Sequence, residues 1–135
     1  MIIKTDYPPT PQKRPRVTRF VTYDPSVKDK KEFLKSVLNQ LPKEPMTAPL
    51  IMRIKFNFKR PKSHYTSKGE LKVSAPKKHT KKPDIDNLLK FVLDALNRTL
   101  YMDDAQVVSL AGRKLYADKE GIEIDIKEME DLNGK

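Results

Sequence analysis

Two aspartates set two residues apart, Asp84 and Asp86, are followed by Lys90 and then by a second acidic pair, Asp103 and Asp104. Carboxylate oxygens are the ligands that hard divalent cations such as Mg²⁺ favour, and two or three are enough when phosphate and water complete the shell. A cation held there polarises a phosphodiester and turns its bound water into a nucleophile. An ammonium group beside it neutralises charge that develops on the phosphate oxygens. The pattern therefore fits metal-assisted chemistry on a phosphate backbone. Each residue alone has an ordinary structural use. Asp84 suits a helix N-cap, Asp86 an acid in the first turn, Lys90 a solvated lysine pairing with Asp86 or Asp94, and Asp103–Asp104 a hydrogen-bonded turn. The unusual feature is the string Asp-x-Asp-Asn-x-x-Lys followed by a double aspartate.

A helix must carry the first part of this string. Ile85, Leu88, Leu89, Val92, Leu93, Leu96 and Leu100 form one apolar stripe, which predicts a helix from about Asp84 to Leu100. At about 3.6 residues per turn, Asp86, Asn97, Lys90 and Asp94 fall along one edge of that stripe. Asp86 and Lys90 thus share a face. Asp104 would come within ligand distance of Asp84 and Asp86 if the segment after it packed beside the start of the helix.

The remaining elements read as follows. The first twenty-five residues are rich in proline and basic side chains, which excludes a helix or a central strand there and leaves Val17–Tyr23 as an edge strand at most. Ser26 opens a helix that stops at Pro42, with Phe33, Leu34, Val37, Leu38 and Leu41 inward and Lys28, Lys30, Lys31 and Lys35 outward. Leu50 to Phe58 alternates apolar with basic residues and predicts a strand with one open face. Val107–Tyr116 and Ile122–Ile126 predict two further strands, read as a hairpin closed by Asp118–Gly121. Together these make a single α+β domain over 1–135, with two main helices packed on a small mixed β-sheet.

Charge is unevenly distributed. The 135-residue chain carries a net +10, but residues 1–82 hold 21 basic and 6 acidic side chains, whereas 83–135 hold 7 and 12. A basic front half with an acidic cluster behind it suits a polyanion binder with an embedded cation site. A membrane surface or an acidic protein partner would account for the lysines but not for the clustered acids. Residues 59–82 contain nine Lys or Arg against one acid, Glu70, and are expected to form a mobile loop that orders on nucleic acid. Candidate phosphate contacts are Arg14, Arg16, Arg19, Lys62, Lys68, Lys77, Lys78, Lys81, Lys82 and Lys114. His64 and His79 sit in the same basic segment without metal-ligand spacing, and read as phosphate or solvent contacts. The absence of cysteine excludes thiolate metal sites and disulfides. Four glycines in the whole chain disfavour a nucleotide loop, so no organic cofactor is expected. The N-terminal residues lack the apolar core of a secretion signal and no run reaches spanning length, so a cytoplasmic protein off the membrane is expected.

The motif Lys82-Pro83-Asp84-Ile85-Asp86-Asn87-Leu88-Leu89-Lys90, with Leu93-Asp94-Ala95-Leu96-Asn97 and Asp103-Asp104-Ala105-Gln106-Val107, resembles the RusA family of Holliday junction resolvases. Lys13-Arg14-Pro15-Arg16 with Tyr23-Asp24-Pro25 resembles the family's N-terminal Arg-Pro-Arg segment, and Lys114 with Tyr116 its late lysine-x-aromatic strand. The resemblance covers essentially the whole chain, with Tyr101 standing where many members have tryptophan. It implies a Mg²⁺-dependent homodimeric endonuclease that cuts four-way DNA junctions in opposing strands. By position, Asp84, Asp86 and Asp104 match its catalytic, metal-binding aspartates, Lys90 its catalytic lysine, and Asp103 the supporting acidic position. A two-fold junction cut twice calls for two sites, which a C₂ dimer supplies. Two other readings stay open: a non-catalytic basic nucleic-acid-binding module, and a nuclease for other branched substrates such as flaps or forks.

Overall fold

The computed structural model describes residues 1–129. In chain order the elements are β1 (Ile2–Thr5), β2 (Arg16–Val17), β3 (Thr22–Tyr23), α1 (Val27–Val37), β4 (Leu50–Lys59), α2 (Ile85–Leu96), β5 (Val107–Ala117) and β6 (Gly121–Glu128). Strands β1, β6, β4 and β5 lie side by side in that order in one mixed sheet, and β2 pairs with β3 in a separate short hairpin. The α+β architecture is the one expected.

The alternation along β4 places Leu50, Met52, Ile54 and Phe56 on the face covered by both helices, where they are fully or almost fully buried. Ile3 of β1 and Ile122, Ile124 and Ile126 of β6 extend that surface. From the helix side come Phe33 and Val37 of α1 and Leu88, Phe91, Val92 and Leu96 of α2. Phe33 and Phe91 meet edge to face with centroids 5.9 Å apart, joining the helices across the middle of the core. Phe91 and Ala95 belong to the buried stripe of α2, which is wider than the leucine pattern suggested. Among the described residues no helix covers the opposite face of the sheet. There Glu123 of β6 bridges Lys4 of β1 at 3.3 Å and Lys55 of β4 at 2.8 Å.

Several local expectations change. β5 and β6 do not form a hairpin. β5 pairs with β4 in parallel and β6 pairs with β4 antiparallel, so the central strand separates them. The link from Ala117 to Gly121 crosses the end of β4, about 10 Å for two strand spacings, which four extended residues can just span at about 13 Å. A side chain at Gly121 would place its Cβ 2.6 Å from the Thr5 carbonyl, so glycine lets β6 begin hard against β1. The N-terminal Ile2–Thr5 is a strand that the proline count obscured, and it occupies an edge as prolines nearby require. Val17–Tyr23 is itself a tiny hairpin, with Arg16 opposite Tyr23 and Val17 opposite Thr22. Lys30 does not face solvent. Its side chain is only 15% exposed and bridges Asp24 at 2.7 Å and Asp94 at 3.4 Å. Leu38, expected inside, is exposed because α1 has already tightened into a 3₁₀ turn over Leu38–Gln40.

The basic segment after β4 runs back along the outer edge of β5. His79 N–H donates to the Lys114 carbonyl at 3.1 Å and Tyr116 N–H to the Lys77 carbonyl at 2.9 Å. These bonds cover backbone groups that an edge strand would otherwise leave open.

Candidate active site

Asp84 is the N-cap residue of α2, with extended backbone angles, but its side chain makes no capping hydrogen bond. Its carboxylate turns instead to Lys82, whose ammonium donates to both oxygens at 3.0 and 3.1 Å. Asp86 follows in the first turn. Both acids line a cleft of about 790 Å³ whose other walls are Lys78, His79 and Thr80 and the β5 residues Gly112–Leu115. Helix and strand approach closely here because residue 112 is glycine: a Cβ would lie 3.0 to 3.2 Å from the side chains of Leu89 and Ile85. Lys114 reaches across the cleft and donates to the Lys81 carbonyl at 2.5 Å, tying β5 to the segment that leads into Asp84. The peptide between Lys82 and Pro83 is cis.

His79 stacks on Phe58 at 3.8 Å and lies 5.0 Å from Tyr116, which His64 meets edge-on at 4.6 Å. Both histidines are therefore aromatic packing groups that anchor the basic segment. Burial and then the nearby Lys114 hold the His79 imidazole below its ordinary pKa, so it stays neutral beside the cleft. His64 is lowered as well, by desolvation and by Arg60.

The second acidic pair is organised differently. Asp103 N-caps the short 3₁₀ turn Asp104–Gln106: its carboxylate accepts from Ala105 N–H at 3.0 Å while Gln106 accepts from the Asp103 N–H at 2.8 Å. Gln106 also donates to the Met46 and Ala48 carbonyls, fixing this turn to the start of β4. The hydrogen bond to Ala105 and the one shared with Asp104 hold the Asp103 carboxyl below its ordinary value. The Asp104 carboxyl is raised, by that shared hydrogen bond first, then by burial and by the charges of Asp103 and Asp94. Tyr101, buried beneath them, donates to the Leu93 carbonyl at 2.6 Å, and burial plus the three surrounding acids keep its phenol protonated far above the ordinary range.

These contacts fix where each acid lies. Asp84 and Asp86 share the cleft at the start of α2. Asp103 and Asp104 sit by Asp94, which is two helical turns beyond Asp86, roughly 12 Å along the axis. Lys90 lies between on the same edge, exposed, and among the described residues it forms no ion pair. The two carboxylates facing this cleft suit a hard divalent cation. Yet among the described residues no three carboxylates or imidazoles stand close enough to hold one. One chain therefore displays two acidic pairs at the two ends of one helix edge, joined by Lys90.

Of the candidate phosphate contacts, Arg14, Arg16 and Arg19 belong to the β2–β3 hairpin segment, exposed throughout. Lys77, Lys78, Lys81, Lys82 and Lys114 cluster at the β5 edge around the cleft. Lys62 and Lys68 lie further out on the same basic segment, in a 3₁₀ turn and beside the left-handed Gly69. Sequence reading missed the ties that hold α2 in place: Asp24 and Lys30 reaching Asp94, and Gln12 N–H donating to the Asn87 carbonyl at 2.9 Å. The placement of Asp94 on the same helical edge as Asp86 was the one available signal.

The sequence pattern of the family described as Endodeoxyribonuclease RusA matches residues 6–127. The chain belongs to the RusA family. Two relatives are similar to it in sequence. An uncharacterized Bacillus subtilis (strain 168) protein, YqaN, is 39% identical to this RusA chain over 103 residues, 73% of the chain and 72% of YqaN. A crossover junction endodeoxyribonuclease of Lactococcus phage r1t is 41% identical over 51 residues, 37% of the chain and 39% of the phage protein. In this RusA-family chain the acidic edge of α2 is flanked by two basic segments. No helix among its described residues is long and apolar enough to cross a membrane.

Proposed function

We propose that the chain, acting as one domain in the cytoplasm and as a homodimer, resolves four-way DNA junctions by paired phosphodiester hydrolysis in opposing strands. The carrying observation is the Asp84–Asp86–Lys90 edge of α2, set between a basic hairpin and a basic strand edge in a RusA-family chain. The phage relative's name supplies the junction as substrate. Asp84 and Asp86 hold Mg²⁺ in this reading, with Asp104 as the third carboxylate and Asp103 steadying it. When bound, that ion polarises the scissile phosphate and activates water. Lys90 offers its ammonium to the phosphate oxygens where negative charge grows. Lys82, now neutralising Asp84, gives that role up and turns to DNA, as do Lys78, Lys81 and Lys114. Arg14, Arg16 and Arg19, with Lys62, Lys68 and Lys77, hold the flanking backbone.

The separation of the two acidic pairs favours the dimer. One chain offers Asp84 and Asp86 at one end of α2 and Asp94, Asp103 and Asp104 at the other, and among the described residues neither end gathers a complete set. An isologous two-fold contact repeats every pairing twice. It can therefore complete both sites at once, each with Asp84 and Asp86 from one chain and Asp104 of the partner subunit.

The test is cleavage of a synthetic four-way junction in Mg²⁺ and in chelator, beside a linear duplex and a fork of the same sequence. Symmetrical cuts confined to the junction, lost in chelator and in Asp86→Asn while Asp86→Asn still binds, are expected. Unchanged cutting by Asp86→Asn rejects the site, and equal cutting of the fork assigns a broader branched substrate.

A further inference from the structure

The β2–β3 hairpin stands out from the body of the protein with its apolar side chains outward. Phe20 is 86% exposed, Val17 77% and Val21 59%. Three exposed apolar side chains grouped at one tip are unusual. Its turn is closed by hydrogen bonds: Thr18 N–H donates to the Val21 carbonyl at 2.7 Å, and the Thr18 hydroxyl accepts from Val21 N–H at 3.0 Å. The Arg19 guanidinium sits 5.6 Å from the centre of the Phe20 ring. From Tyr7 to Tyr23 the chain has four basic residues, Lys13, Arg14, Arg16 and Arg19, and no acid.

Both feet of this segment are fastened to the acidic edge of α2. Gln12 N–H bonds the Asn87 carbonyl, one residue past Asp86, at 2.9 Å. On the other side Asp24 is bridged through Lys30 to Asp94, and the Gln12 amide ties the feet together at Asp24 with a 2.9 Å bond. The tip is thus held in a set relation to Asp86 and Lys90.

We propose that Phe20, backed by Val21, is a wedge that stacks on a base exposed at the centre of branched DNA, while Arg14, Arg16 and Arg19 grip the adjoining phosphates. This rests on the DNA-junction reading given above. The charge of the hairpin suits a phosphate backbone, and its planar apolar tip suits the face of a base. Aromatic and aliphatic wedges of this kind work by unstacking a base step. A continuous duplex keeps its base faces covered, whereas a branch point leaves some open. The wedge therefore adds affinity for branched DNA alone, and Phe20 becomes a determinant of structural selectivity.

The experiment compares dissociation constants of the full-length protein for a four-way junction and for a linear duplex, at one salt concentration, in chelator. Phe20→Ala is expected to weaken junction binding about tenfold, in line with the loss of one stacked base, with duplex binding unchanged. Phe20→Trp should keep the preference. Arg16→Ala should weaken both substrates together. Equal affinities of wild type and Phe20→Ala for the junction overturn the wedge while leaving the junction reading intact. Absence of any junction preference in the wild type overturns both. Sedimentation of the same variants covers the other occupant: a dimer that dissociates in Phe20→Ala makes the hairpin an arm gripping a second copy, and the wedge is rejected.

Discussion

Lys90 is the residue on which the chemistry and the structure meet most simply: exposed, between two acids, with its ammonium uncommitted among the described residues. Lys90→Met should lower the junction cleavage rate by about 10²–10³, as loss of one preorganised charge does, and change junction affinity in chelator far less. Single-turnover cleavage beside a binding titration reads both. Neighbouring aspartates look alike in sequence, and only the family resemblance preferred Asp104 to Asp103 as the third ligand. The fold distinguishes them: Asp103 is occupied by the capping box with Gln106. Asn caps as well as Asp, so Asp103→Asn should keep both stability and most activity. Asp104→Asn should retain the fold and lose cleavage; the reverse pattern would make Asp103 the ligand. Arg98, with φ of 68°, follows the extended C-cap Asn97 in the turn that Thr99 N–H closes on the Leu96 carbonyl at 3.2 Å. A side chain costs about 1–2 kcal/mol in that region where glycine does not, and glycine's extra freedom in the unfolded chain offsets part of this, so Arg98→Gly should raise the unfolding free energy by about 0.5–1 kcal/mol. A denaturant titration that shows no gain refutes that account.

At the scale of elements, the helices were legible because their leucine spacing is unambiguous, and β4 because its alternation is strict. The pairing of β5 and β6 was not. Asp118–Gly121 has the composition of a hairpin turn, and nothing local reveals that a third strand will fill the space between Ala117 and Gly121. Lys30 likewise looks like any surface lysine until Asp24 and Asp94, far apart in sequence, arrive on either side of it. That bridge also sets an acid response. Burial pushes the Asp24 carboxyl up, but hydrogen bonds from Lys30, Ser26 and Gln12 outweigh it and hold the group below its ordinary 3.8. A folded pKa below the unfolded one stabilises the protein fully above about pH 5, and that contribution disappears as pH falls through the ordinary value and below it. Wild type should therefore lose more stability than Asp24→Asn between neutral and strongly acidic solution. Parallel denaturant curves for the two proteins, with equal losses, would remove Asp24 from the account.

The whole molecule is a basic surface built around an acidic edge, so its grip on DNA should depend steeply on salt. Removing one lysine or arginine that neutralises a phosphate should shallow the logarithmic salt slope by about 0.9, measurable for Lys78→Ala or Arg14→Ala. Sharing of sites between subunits has its own signature. Asp86→Asn and Asp104→Asn are each expected to be inactive, but mixed heterodimers would place both changes in one site and leave the other whole. Recovery of nicking on mixing supports shared sites, and continued inactivity, with exchange verified, places all ligands in one chain. The position of β4 has a further consequence, for the order of synthesis. Its two neighbours in the sheet arrive last, since Leu50 pairs with Val107 on one side and Glu128 on the other. A nascent chain therefore holds its central strand open on both edges until β5 has left the ribosome, and on one edge until β6 follows. Contacts of such long range fold slowly. The acidic edge is consequently assembled only once β5 and β6 have been made, and a product truncated before them would carry the aspartates without the frame that aligns them.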